Sequence, residues 1–280
     1  MSINRSQFIK SIGIGAAFHL IESNTHQVSR AQKQSRDGLN IRQLNKNNLA
    51  LKPKALQKGI TLGLVSPASP VYNSDDFDEM LVKVESLGYK IVLGQHVRDR
   101  RGYLAGSDQD RAKDIMNMFL NPKIDGILCV RGGWGCNRIL PYLDFEAIAA
   151  NPKVLCGFSD ITSLHLSLWE KSRLHTFHGP VGTSSWSSYS TRYFKEVIEK
   201  GGKPTYQYPE NYGDDHHTIV AGRSEGILLG GNLTVLCSLI GSEYMPDFTG
   251  SILYLEDVGE DVYRVDRMLT QLKLCGILNK

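Results

Sequence analysis

The sequence predicts an α/β fold in which a parallel sheet is flanked by helices. Two observations support it: short apolar strand-like runs alternate with runs of helical spacing, and loops of small residues follow the strands. The strand-like runs are 60–65, 89–93, 124–130 and 154–156, and the helix-like runs between and after them are 75–87, 107–119, 137–143 and 161–171. Strands separated by helices in this order pair in parallel, and the helices cover both faces of the sheet.

Each of the first elements has a recognisable end. The strand 60–65 runs into the loop 66–70, whose two prolines cannot continue a strand. The helix 75–87 carries apolar residues at helical spacing and stops at Gly88. The helix 107–119 begins with a serine, a residue type that caps helices by accepting a backbone N–H.

Composition excludes several classes of protein. Of 280 residues, 41% are hydrophobic and 22% charged, which are ordinary globular values and not those of a disordered or fibrous chain. The net charge of +3, without a basic stripe, does not indicate nucleic acid. No apolar run reaches the roughly 18 residues of a membrane span. The five cysteines form no C-x-x-C pair, so we expect neither a disulfide scaffold nor a metal cluster, and no cofactor is indicated.

The N-terminal segment is predicted to lie outside the fold. Residues 1–22 have the layout of an export signal, a basic start followed by a short apolar centre. They resemble a twin-arginine signal in which Ser6 replaces the second arginine. If this signal is functional, the protein is periplasmic, and otherwise it is cytoplasmic. We predict a leader and linker over 1–55, because the remainder of this stretch is polar and aperiodic.

The rest of the chain is predicted to form two domains. The α/β domain spans 56–190, and a polar segment over 191–220 serves as a linker. A smaller, β-rich C-terminal domain over 221–280 contains strands near 226–229 and 252–255 and a helix over 262–274. Loops at the carboxyl ends of parallel strands converge on one cleft, so we expect the chemistry at the loops 66–70, 131–136 and 157–160.

The loop at 157–160 has the pattern of a nucleophile elbow. A strand ends, Gly157 permits a tight turn, Ser159 stands at the apex and a helix follows. The first N–H groups of such a helix can stabilise an oxyanion. The last glycine of G-x-S-x-G is absent, because Ile161 holds that place. The alternative is that Ser159 or Asp160 only caps the helix.

Two further candidates come from the residues alone. Cys136 follows the glycine-rich loop 131–135 at a helix start, where a thiol can become a nucleophile. The alternative for this loop is that its backbone amides contact substrate while Cys136 packs in the core. Glu256 follows an apolar strand directly, and either faces the site or belongs to an acidic turn with its neighbours.

The motifs together resemble the LD-carboxypeptidase (muramoyl-tetrapeptide carboxypeptidase) family of serine peptidases. They are VSPASP at 65–70, CVRGGWGCNRILPYLDF at 129–145, CGFSDIT at 156–162, FHGP at 177–180, LLGGNLTVLCSLIGS at 228–242 and LYLEDVGEDVYRVDRMLTQLKLCGIL at 253–278. The resemblance implies a Ser-Glu-His triad with Ser159 and Glu256 as its first two members. The implied oxyanion hole consists of backbone amides of Asp160 and of the turn Gly132-Gly133-Trp134, and Arg131 would help to position the peptide.

The resemblance also implies the reaction and the architecture. The family hydrolyses the L,D-amide before the terminal D-Ala of peptidoglycan tetrapeptides, so the expected partner is a muropeptide. The implied fold is a class I glutamine amidotransferase-like α/β domain joined to a smaller C-terminal domain, commonly as a homodimer. The family's catalytic histidine lies downstream of the helix matching 262–274, so we expect this chain to be C-terminally truncated and impaired. The alternatives are a non-catalytic peptide-binding pseudoenzyme and a Cys136-based hydrolase.

Overall fold

The computed structural model describes residues 50–57, 59–207 and 217–280, and the leader predicted over 1–22 lies outside them. A five-stranded parallel sheet with the order β2-β1-β3-β4-β5 forms the centre. Its strands are β1 (Thr61–Val65), β2 (Lys90–Leu93), β3 (Gly126–Cys129), β4 (Val154–Gly157) and β5 (Phe177–His178). The predicted parallel sheet flanked by helices is confirmed.

Helices connect these strands and cover the sheet. They are α1 (Ser74–Ser86), α2 (Asp108–Leu120), α3 (Cys136–Ile139), α4 (Phe145–Ala150), α5 (Thr162–Ser172) and α6 (Ser188–Phe194). Short 3-10 turns at Leu140–Tyr142 and Ser159–Ile161 follow α3 and precede α5, and a π-helical turn, Lys195–Glu199, continues α6. Within the described residues, no helix is long and apolar enough to span a membrane.

The central strands are buried because helices lie on both of their faces. Every residue of β3 and β4 is buried, as expected for an inner strand of a parallel sheet. In β1, Gly63 lets α2 approach closely, since a β-carbon there would lie 2.5 Å from Met118 Sδ. Because these strands pair in parallel, the carboxyl ends of β1, β3 and β4 stand at the same edge of the sheet.

A smaller parallel pair follows in the C-terminal part of the chain. It consists of β6 (Ile227–Asn232) and β7 (Ser251–Glu256), connected through α7 (Leu233–Ser238) and followed by α8 (Val262–Leu274) and a 3-10 turn at Ile277–Asn279. The register places Asn232 opposite Glu256 at the carboxyl ends of both strands. Apolar side chains of this part reach solvent, with Leu228 65% and Val262 87% exposed.

Three elements differ from the sequence prediction. The strand β5 was not predicted, because two residues are too few to show an alternating pattern. The segment 188–199, part of which was expected in the linker, is helical and buries Phe194 and Ile198. The pair Gly230-Gly231, whose composition is typical of a turn, lies within β6 and extends the strand predicted near 226–229.

Candidate active site

Ser159 stands at a strained turn between β4 and α5. Its φ of 64° is in the left-handed region, which a residue with a β-carbon adopts at a cost. Gly157 precedes it, and a β-carbon there would lie 2.9 Å from Ile161 Cγ1. Ser159 is half-buried, and the α5 N-terminus has no side-chain cap. The helix-cap alternative is therefore wrong for Ser159 and Asp160.

The glycine-rich loop after β3 packs directly against this serine. A β-carbon built on Gly132 would lie 2.8 Å from Ser159 Cβ and 3.0 Å from its hydroxyl oxygen. Among the described residues, the backbone N–H groups of Gly132, Gly133 and Asp160 donate to no protein acceptor. Free amides beside a serine hydroxyl have the chemistry of an oxyanion hole.

Ser69, from the loop after β1, holds the glycine-rich loop in place. Its hydroxyl oxygen accepts the Trp134 N–H at 3.2 Å, and its own N–H donates to the Gly132 carbonyl at 3.4 Å. A β-carbon on Gly133 would overlap the Ser69 hydroxyl. The Trp134 amide is thus already engaged, while its side chain is 64% exposed. Sequence reasoning found this loop through its prolines but did not single out Ser69.

Asp160 connects the elbow to the same loop. Its Oδ2 accepts the Cys136 N–H at 2.8 Å, and burial raises the pKa of its carboxyl group. Cys136 itself is fully buried, and burial raises the pKa of its thiol well above the ordinary value. A buried thiol that retains its proton is inert. The burial of Cys136 therefore favours the packing alternative over a nucleophilic role.

Glu256 ends β7 close to the elbow. The Asn232 N–H donates to Thr162 Oγ1 at 2.9 Å, which joins the carboxyl end of β6 to the first residue of α5. Glu256 lies beside Asn232 in the register. Its Oε1 is buried and has no hydrogen-bond partner among the described residues, and burial raises the pKa of the carboxyl group. An unpaired carboxylate oxygen in such a place is costly and available to a donor.

His165, which lies next to the elbow, is not arranged as a general base for Ser159. His165 Nε2 lies 2.9 Å from the Gly157 carbonyl, which can only accept, so Nε2 carries the proton and Nδ1 accepts from Thr176 at 2.8 Å. Both ring nitrogens are thus engaged, and burial lowers the pKa of His165 to about 3. Desolvation also lowers the pKa of His178 to about 4, where its ring contacts Tyr254.

Arg131 lines a cavity next to the glycine-rich loop. The cavity has a volume of about 410 Å³, and Tyr72, Asn73, Asp76 and Thr183 also line it. Arg131 Nη1 donates to the Pro70 carbonyl at 3.2 Å, which fixes the guanidinium at the rim. Arg131 is adjacent in the chain to Gly132, which itself packs against Ser159.

The parallel sheet and the strained serine turn together indicate an α/β enzyme of the serine-hydrolase class. Residues 62–179 match the LD-carboxypeptidase N-terminal domain, and residues 225–280 match the LD-carboxypeptidase C-terminal domain. The chain belongs to this family of carboxypeptidases.

Individual relatives agree with the family match. The "Probable murein peptide carboxypeptidase" of Bacillus subtilis (strain 168) is 37% identical over 236 residues, covering 82% of this chain and 72% of that protein. The "Murein tetrapeptide carboxypeptidase" of Pseudomonas aeruginosa is 39% identical over 221 residues, covering 75% of this chain and 70% of that protein. The crystal structure of an MccF-like protein from Bacillus anthracis superimposes with a TM-score of 0.72 at 26% identity, covering 80% of this chain and 76% of the other.

Proposed function

We propose that the protein is a serine-type LD-carboxypeptidase that hydrolyses the L,D-amide before the terminal D-Ala of peptidoglycan tetrapeptides. The names of its relatives support the substrate class. The observation that carries the proposal is the strained backbone of Ser159 beside the free amides of Gly132 and Gly133. Strain of this kind persists at functional sites because the surrounding structure holds it there.

The reaction follows the acyl-transfer scheme of serine peptidases. Ser159 Oγ attacks the scissile carbonyl carbon as a base takes the hydroxyl proton. Amides of Gly132, Gly133 and Asp160 stabilise the oxyanion of the tetrahedral intermediate. The C–N bond then breaks, D-Ala leaves with the proton, and water releases the acyl group from Ser159. Arg131, at the rim of the adjacent cavity, holds the peptide by its carboxylates or carbonyls.

The role of Glu256 is to orient the base and stabilise its cationic form. Its unpaired Oε1 suits an imidazole N–H. His165 cannot serve, since both of its nitrogens are engaged. We therefore propose that Glu256 holds an imidazole base, and that free imidazole accelerates hydrolysis by occupying the position beside Glu256.

The test is hydrolysis of a muramoyl tetrapeptide, measured as released D-Ala with and without millimolar imidazole. We expect release of D-Ala that imidazole increases at least 10-fold. Ser159→Ala abolishes both rates, and Glu256→Gln abolishes the increase. Asp257→Asn is a matched control for Glu256, because the neighbouring carboxylate of Asp257 accepts from Thr234 and Asn232 instead. A rate that is equal in wild type and Ser159→Ala ends the enzymatic proposal.

A second candidate function is peptide binding without turnover. It is favoured by the engagement of both ring nitrogens of His165, which cannot then act as a base for Ser159. In that case the tetrapeptide binds to the cleft, Arg131→Met weakens its binding, and imidazole produces no D-Ala. Calorimetric titration with the intact tetrapeptide distinguishes the two functions when it is combined with the hydrolysis assay.

The resemblance also supports assembly as a homodimer, and we propose that this protein is a homodimer in solution. Sedimentation equilibrium measures it directly. A mass of twice 31.2 kDa supports the dimer, and a mass equal to that of one chain at micromolar concentration contradicts it.

A further inference from the structure

Arg111 is a buried cation whose contacts lie at the active-site loops. It occupies the first turn of α2 and is 1% exposed. Burying a charge is costly unless hydrogen bonds and an opposite charge compensate. The partners of the guanidinium therefore indicate which part of the structure requires it.

One nitrogen of Arg111 joins two loops of the site. Nη1 donates to the carbonyl of Pro67, in the loop after β1, and to the carbonyl of Gly135 at 3.0 Å, in the loop after β3. Nη2 donates to Asp108 Oδ1 at 2.6 Å, which provides the compensating charge. Gly135 has a φ of 111°, and a β-carbon there would lie 3.0 Å from Nη1.

Besides the bond from the Ser69 N–H to the Gly132 carbonyl, three hydrogen bonds hold the C-terminal half of the loop 131–136. Ser69 accepts from the Trp134 N–H, Arg111 donates to the Gly135 carbonyl, and Asp160 accepts from the Cys136 N–H. The free amides of Gly132 and Gly133 lie immediately before these attachments and beside Ser159. A displacement of about 1 Å at a reacting group can cost on the order of 100-fold in rate.

We propose that Arg111 is a positioning residue for the reaction, which holds the loop 131–136 so that the Gly132 and Gly133 amides reach the oxyanion formed at Ser159. This inference rests on the proposed function. Arg111 does not touch the substrate, and it acts through the Pro67 and Gly135 carbonyls. Because oxyanion donors act in the transition state, its loss lowers kcat and leaves KM nearly unchanged.

Arg138 offers a matched control. It donates to the same Asp108 carboxylate at 2.9 and 2.7 Å, but its side chain is exposed and contacts neither loop carbonyl. If Arg111 only neutralised Asp108, loss of either arginine would have a similar effect. If Arg111 positions the loop, only its own loss affects catalysis.

The experiment compares Arg111→Met, Arg111→Lys and Arg138→Met in the imidazole-supplemented hydrolysis assay, with kcat and KM measured separately. We expect Arg111→Met to lower kcat about 30-fold or more with KM changed less than about 3-fold. Arg111→Lys retains donors but is shorter, so it recovers part of kcat. Arg138→Met stays within about 2-fold of wild type, because it breaks only an exposed ion pair. Equal losses in Arg111→Met and Arg138→Met, or a rise in KM alone, overturn the proposal.

Amide hydrogen exchange separates this inference from the proposed function. In Arg111→Met, and more weakly in Arg111→Lys, we expect at least 10-fold faster exchange in a peptide covering 131–136, with exchange of β1 unchanged. If the wild type releases no D-Ala even with imidazole, the proposed function fails, and the exchange result alone decides the role of Arg111. Unchanged exchange at 131–136 in both Arg111 variants overturns the inference.

Discussion

Two glycine pairs lie in different kinds of backbone structure, Gly132-Gly133 in a loop and Gly230-Gly231 in a strand. The first pair lies in a loop, where Gly132 packs against Ser159 and the amides remain free. The second pair lies inside β6, where its amides belong to a ladder with β7 and the missing β-carbons let Tyr254 and Thr162 approach. In the loop, glycine leaves backbone donors available for chemistry, and in the strand it permits close packing against β7 and the first residue of α5.

The largest expected effect comes from a β-carbon in the first pair. Gly132→Ala places a methyl group 2.8 Å from Ser159 Cβ and 3.1 Å from the Phe158 carbonyl oxygen. We expect imidazole-supported turnover to fall about 100-fold, since the serine or the loop must shift. Thermal unfolding should change little. Gly222→Ala is the control, because its β-carbon meets open space. A Gly132→Ala variant with full activity would remove the catalytic distinction between the pairs.

The same substitution in the second pair should affect stability instead. A β-carbon on Gly230, at a φ of 141°, overlaps the Tyr254 carbonyl oxygen. We expect Gly230→Ala to lower the free energy of unfolding by roughly 3 kcal/mol. Gly250→Ala, at a φ of 71° in open space, should cost only about 1 kcal/mol for its left-handed backbone. Urea denaturation measures both, and equal losses would contradict the close packing at Gly230.

His165 connects the elbow at Ser159 to the strand β7, so its titration tests how the two regions depend on each other. Its Nε2 donates to Gly157 before the elbow, and its ring contacts His178, which in turn contacts Tyr254 of β7. The folded pKa of about 3 is below the unfolded value near 6.5. The unfolded chain therefore binds the proton first as pH falls, and stability decreases from about pH 6.5 towards pH 3.

The expected loss from His165 between pH 7 and pH 5 is about 2 kcal/mol. Urea midpoints for wild type and His165→Gln at both pH values measure it, because the variant lacks this titration. We expect a smaller difference between the two pH values in the variant. The same pH dependence in both proteins would show that His165 is not held neutral by its burial.

Much of the sheet could be predicted from sequence because its signals are local. Short apolar runs predicted β1, β3 and β4. The helix α8 was also predicted, and its predicted bounds agree with the structure. The elbow at Ser159 could be predicted because glycine, serine and a following helix are adjacent in the chain. Local pattern was sufficient wherever an element and its function depend on neighbouring residues.

The remainder depends on contacts between distant residues. Arg111 bonds to residues 44 and 24 positions away, so nothing near it in sequence distinguishes it from a solvated helix charge. Ser69 acts on Trp134, 65 positions away. The Gly230-Gly231 pair has the composition of a turn, and only pairing with β7 makes it a strand. The roles of these residues therefore depend on partners that are distant in the sequence, and local patterns could not predict them.

The most direct test that Ser159 is the nucleophile is to identify the residue that a fluorophosphonate labels covalently, with imidazole present. Intact mass and peptide mapping identify the modified residue. We expect one phosphonate group on Ser159, which is lost in Ser159→Ala and strongly reduced in Gly132→Ala. Labelling of Ser69 or another residue, with Ser159 unmodified, would contradict it.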